Sequence, residues 1–152
     1  ENHVFMVNLD GAGRGTRGVF SLQGWPEANS YFRKMLGAMY EGHITVGDRI
    51  SPYSDMYNFA AVGIPSSSYA SAEPVSGGAP RGWGHTYWDT LDKINPRAIQ
   101  MDGILIARIL LRLATEEALP LVKKTPSDFA TKLKEMGLDA VLRYELRPIP
   151  GE

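Results

Sequence analysis

Val4-Phe5-Met6-Val7-Asn8-Leu9-Asp10 is a β-rich, almost unbroken apolar run that ends on a carboxylate. A short run of this kind fits a strand buried on both faces. Its acid stands at the C-terminal end, where open α/β sheets place their ligands. A carboxylate beside an apolar core is costly unless something pairs with it. Much further along, Gly84-His85-Thr86-Tyr87-Trp88-Asp89-Thr90 puts an imidazole just after a stretch rich in Gly and Pro. Asp10 and His85 are therefore a candidate pair of metal ligands. The residues alone leave a second reading open, in which Asp10 caps a turn and His85 is a loop residue, because carboxylate–imidazole pairs often bind no metal.

Working outward, residues 11–18 are a Gly-rich turn and residues 19–23 a second short strand. Pro26 opens a helix to about Tyr40, with Ala28, Tyr31, Phe32, Met35, Leu36 and Met39 at helical spacing. Residues 44–46 form a weak strand, and Ser54 can cap a short helix over 55–62 that Gly63 stops. Residues 64–71 read as a strand entered through Pro65, near a sheet edge or at a strand start. Residues 73–84 must be a loop. The strongest helix runs from Pro96 to about Ala118. Its polar stripe (Gln100, Arg108, Arg112, Glu116) is narrow, so most of its circumference is expected to be covered. Beyond Pro120, Ser127 can cap a last helix over 128–136, and the alternation of residues 141–146 fits an edge strand or an extended tail. Mixed strands and helices argue for an α/β sheet covered by helices.

The chain has 152 residues, a net charge of −1 and no Cys. This is enough for one domain with a core, and the charge points to neither nucleic acid nor an anionic membrane surface. Any metal must be held by carboxylate and imidazole. No signal peptide is visible, no apolar run is long enough to span a bilayer, and the compartment stays undefined. The chain opens at Glu1-Asn2-His3 and enters a strand almost at once, which reads as a cut inside a larger domain.

Some motifs carry little. Gly13-Arg14-Gly15-Thr16-Arg17-Gly18 matches G-x-G-x-x-G, but a strand and no helix follows it, so it reads as a turn. Ser66-Ser67-Ser68 lacks the setting of a nucleophilic serine. His3 and His43 have no acids at ligand spacing and read as surface or half-buried residues.

Three segments resemble the dinuclear-zinc exopeptidases of clan MH, the family of bacterial leucyl aminopeptidases, glutamate carboxypeptidase II, glutaminyl cyclase and the metal-free transferrin-receptor ectodomain. They are Asn8-Leu9-Asp10, the segment Ser54-Asp55-Met56-Tyr57-Asn58-Phe59-Ala60-Ala61-Val62-Gly63-Ile64-Pro65, and His85-Thr86-Tyr87-Trp88-Asp89-Thr90-Leu91-Asp92-Lys93-Ile94. Their order and spacing agree over about residues 4–117. The resemblance implies a partial mixed-sheet, three-layer α/β sandwich. It also implies that Asp10 and His85 each bind a different zinc, while the other ligands and the general-base Glu lie upstream of this strand. Residues 1–118 would then be the C-terminal half of a catalytic domain, and residues 119–152 a helical extension or tail.

On this resemblance the parent is an aminopeptidase using two zinc ions, and the chain alone is an inactive piece that binds zinc weakly or not at all. A metal-free interaction module and a glutaminyl-cyclase-like enzyme are the alternatives on the same fold. Tyr53, Ser54, Asp55 and Asp89 are candidates for the substrate pocket or for supporting the ligands, with packing, a helix start or a local turn as their structural alternatives. Two departures bear on specificity. Gly84 stands where some members have a Tyr before the last His. Ser66-Ser67-Ser68-Tyr69 stands where carboxypeptidase-type members carry Arg, which favours a neutral pocket. The expected partners are a peptide substrate in the parent and a second copy or partner fragment, since a half-domain exposes a sheet edge and a core face.

Overall fold

The computed structural model describes residues 3–40, 42–72 and 84–151. A four-stranded mixed sheet has the order β1-β4-β2-β3. The strands are β1 (Met6–Gly11), β2 (Arg17–Leu22), β3 (Ile44–Asp48) and β4 (Ser66–Ala72). β4 runs parallel to β1 and antiparallel to β2, and β2 runs parallel to β3. The helices are α1 (Asn29–Met39), α2 (Met56–Ala61), α3 (Pro96–Thr115), α4 (Pro126–Glu135) and α5 (Leu138–Tyr144). The α/β expectation holds. The Gly-rich segment is indeed a turn leading into β2, and most of the loop expected over 73–84 lies outside the described residues.

The alternation of side chains along the strands makes one face of the sheet aromatic. Phe20 packs on Phe32 of α1 with ring centroids 4.9 Å apart, and Phe5 stacks on Phe32 at 5.3 Å. Such pairs add about 0.5–1.5 kcal/mol each beyond the area they bury. Leu105 and Ile109 of α3 and Phe129, Leu133 and Leu142 of α4 and α5 belong to the same core. The opposite face is partly bare: Val19 of β2 is 52% exposed, and Thr45 and Ala70 are exposed too.

Several expectations are corrected. β1 is an edge strand among the described residues, with Val4 and Leu9 exposed, because only β4 pairs with it. β4 lies inside the sheet, and of the two placements expected for Pro65 the strand start holds, since β4 begins at Ser66. Pro65 precedes the ladder, where its missing N–H removes no ladder bond, and its carbonyl accepts from the Met6 amide at 3.0 Å. α3 is far from covered: Ile104 is 53% and Leu111 66% exposed, since nothing described packs on that side. Thr125, not Ser127, caps α4. Its hydroxyl accepts from the Asp128 amide at 3.1 Å, and the Asp128 carboxylate accepts from the Thr125 amide at 2.9 Å, a reciprocal capping box. Residues 141–146 are mostly helix. Gly137 turns the chain in the left-handed region (φ 69°), and Leu138 and Leu142, four residues apart, then face the core.

Residues 119–151 lie against the sheet-bearing part at several points. Trp25, fully buried, donates from Nε1 to the Val122 carbonyl at 2.7 Å, and Phe129 stacks on its ring. The Lys124 ammonium sits 4.9 Å from the Trp25 ring and donates to the Gly24 carbonyl at 2.6 Å. Gly63, which ends the α2 segment at φ 83°, accepts from the Lys124 amide at 3.0 Å. A Cβ on Gly63 would stand 1.7 Å from the Lys124 carbonyl oxygen. Gly63→Ala therefore combines left-handed strain with a backbone clash. It is expected to cost about 2 kcal/mol or more, read as a drop in thermal midpoint; an unchanged midpoint would contradict this seam.

Candidate functional site

An open cleft of about 750 Å³ lies at the C-terminal end of β1. Asp10, Ser54, Tyr53, Ser68, His85 and Asp89 are among its lining residues. Asp10 and His85, remote in sequence, thus line one space.

The register of β1 against β4 is irregular between Asn8 and Gly11, and Asp10 sits within that irregularity. Bulges of this kind re-aim a side chain at the end of a strand. Gly11 is required there, because a Cβ would stand 2.4 Å from the Cβ of Ala70. The buried Asn8 amide donates to Ser54 Oγ at 2.6 Å, and Ser54 Oγ donates to the Asp10 carboxylate. Ser54 is thereby committed to Asp10, and it does not cap α2, which has no side-chain cap. The Arg14 guanidinium lies 3.4 Å from the Asp10 carbonyl.

His85 adopts a left-handed backbone (φ 63°), uncommon for a residue with a Cβ. Backbone strain of this sort collects at sites where the surroundings hold a side chain in place for use. Asp89 is exposed; its amide donates to the Thr86 carbonyl at 3.1 Å, so a turn role goes with its place on the cleft wall. Tyr53 is not packed. It is 66% exposed, and its hydroxyl donates to Glu145 at 3.0 Å, a bond that raises the phenol's pKa above its ordinary value. Asp55 lines a smaller concavity beside the cleft, with Tyr53, Ser54 and Asn58. His3 and His43 are exposed, as expected, and His3 meets the edge of Phe59. Among the described residues no three His, Cys, Asp or Glu side chains gather into a group able to hold a metal.

Sequence reasoning missed the carboxylate behind the cleft. Asp102 of α3 is only 5% exposed. It accepts from the Gly13 amide (2.7 Å), the Tyr69 hydroxyl (2.6 Å) and the Ser71 hydroxyl (2.7 Å). Ser71 Oγ in turn accepts from the Arg14 amide at 3.1 Å, and the Asn95 amide at the head of α3 donates to the Gly13 carbonyl. These bonds join α3, β4 and the turn that follows Asp10. The signal was present: Ala98, Asp102, Leu105 and Ile109 recur at helical spacing, so an acid stands on the buried stripe.

The fold is a mixed four-stranded sheet with helices, and an acid at a strand end shares one cleft with a loop imidazole. The sequence matches peptidase family M28 over residues 1–110, and the chain belongs to that family. Its members are peptidases and are generally zinc-dependent. Neither a curated protein nor a solved structure matches.

Asp102→Ala would leave three donors buried without an acceptor, a loss of about 3 kcal/mol or more. The pH dependence has a definite sign. Burial, then the Asp102 carboxylate, raises the Tyr69 pKa. A raised folded-state pKa means that this stability is present below the unfolded value, about 10, and is lost as pH rises above it. Urea midpoints between pH 9 and 11 should fall in the native chain and fall less in Tyr69→Phe; equal slopes would contradict the Tyr69–Asp102 bond.

Proposed function

We propose that this chain forms one side of a dinuclear zinc aminopeptidase site, in a catalytic domain of which it is the C-terminal half. The observation that carries the reading is that Asp10 and His85 line one cleft, with Ser54 bonded to the Asp10 carboxylate. The donor chemistry suits zinc, which takes carboxylate oxygen and imidazole nitrogen. A catalytic zinc has about three protein ligands, so these two residues fit as a contribution to a site and not as a whole one. In the reading supported by the family resemblance, Asp10 would hold one ion and His85 the other. Bound zinc supplies a water acidic enough to be a nucleophile near neutral pH.

The chain's own residues prepare the rest. Asn8 and Ser54 orient the Asp10 carboxylate through hydrogen bonds, as supporting groups do for metal-binding carboxylates. The left-handed turn at His85 presents its ring from the loop before α3. Ser68 and Ala70 give the cleft a small, uncharged wall for the first side chain of a peptide. The partly bare sheet face, the open edge of β1 and the exposed side of α3 are surfaces that the remainder of the domain would cover. The chain by itself should therefore associate, and a dilute monomer with sharp cooperative unfolding would count against that.

In the complete domain, Asp10→Ala and His85→Ala should each remove about one zinc per molecule and lower turnover on aminoacyl anilides by roughly a thousandfold or more. The 152-residue chain alone should keep far less than one zinc per molecule after dialysis. Near-stoichiometric zinc in this chain, or full turnover in either variant, would defeat the reading.

A further inference from the structure

The concavity beside the cleft, about 360 Å³, is lined by Pro52, Tyr53, Ser54, Asp55, Asn58 and Arg147. Tyr53 and Ser54 belong to both spaces, so the two are contiguous. Arg147 comes from the C-terminal segment, beyond the residues that match the family. Its guanidinium lies over two rings, 5.7 Å from the centre of Tyr53 and 5.3 Å from that of Tyr57. Its backbone amide donates to the Leu142 carbonyl at 2.9 Å, at the end of α5. Leu146, just before it, is left-handed (φ 53°), and Ile149, just after it, is buried in the core. The side chain is thus delivered to this rim from both directions.

Arg147 is half-buried and makes no ion pair among the described residues. Glu145, two residues before it, is engaged by the Tyr53 hydroxyl. A guanidinium stacked on aromatic faces keeps its in-plane N–H donors free, and their fork matches a carboxylate. Asp55 on the same rim is exposed, so its opposing field is screened by water and salt.

We propose that Arg147 is the anion-binding residue of an outer subsite, taking a carboxylate carried by a peptide whose N-terminus enters the cleft. This rests on the peptidase reading and deepens it by naming a substrate feature beyond the first side chain, whose own wall stays uncharged. The preferred substrates are short peptides with a free C-terminus near the cut, or peptides with an acidic side chain there.

The test is a titration of the complete catalytic domain, stripped of metal so that the probes are not cleaved, by nuclear magnetic resonance, following the amides of Tyr53, Asn58 and Arg147. The probes are Leu-Gly-Gly acid, Leu-Gly-Gly amide and Leu-Glu-Gly amide, which separate a C-terminal carboxylate from a side-chain one. At least one carboxylate probe should bind about tenfold more tightly than the neutral amide. Arg147→Gln should erase that difference with neutral-amide binding unchanged, and Arg147→Lys should restore part of it. Equal binding of all three probes, a preference that survives in Arg147→Gln, or no binding of any would overturn the proposal. Zinc content and turnover are not read in this titration, so failure of the subsite and failure of the peptidase reading are told apart.

Discussion

A carboxylate buried in an apolar interior must collect donors, and the donors that Asp102 collects decide how this molecule is joined. It lies on α3, the helix that follows the segment carrying His85. Its partners are Tyr69 and Ser71 on β4 and the Gly13 amide in the turn just after Asp10. One side chain therefore fixes the helix that follows one candidate ligand against the turn that follows the other. These three short directional bonds add a positional constraint to the packing and the strand pairing.

In front of that anchor, the polar groups are arranged in relays. Asn8 supports Ser54 and Ser54 supports Asp10, so a buried strand amide determines the orientation of an acid at the cleft. Glu145 holds Tyr53, and Arg147 lies over Tyr53 and Tyr57. The loop that bears Ser54 is thus gripped from the sheet on one side and from the C-terminal segment on the other. The same segment reaches the core through Val122 and Phe129 on Trp25 and through Lys124 at Gly63. The tail is consequently coupled to the cleft wall, although it lies outside the part of the chain that carries the family match.

The parts legible in the sequence are those with strong local signals. The apolar run before Asp10, the helical spacing from Ala28 to Met39 and the glycines that punctuate the turns lead directly to β1, α1 and the loops. The segments that carry Asp10 and His85 stand out by their order in the sequence, and the fold brings both residues to one cleft. What could not be read depends on competition between partners far apart in the chain. Ser54 looks like a helix cap, but Asp10 claims its hydroxyl. Residues 141–146 alternate like a strand, yet the turn at Gly137 and the contact of Leu142 with the core make them helical. The apolar circumference of α3 promised cover that no described element supplies. Asp102 stands on the buried stripe of its own helix, but its donors come from three other places.

The central claim is that Asp10 and His85 serve adjacent ions, one each, across a single cleft. Anomalous diffraction at the zinc edge, from crystals of the complete catalytic domain, tests this most directly. The expected result is two zinc peaks a few ångströms apart, one bonded to an Asp10 oxygen and the other to a His85 nitrogen. A single ion bonded to both residues, or zinc bound with neither of them in contact, would contradict the account.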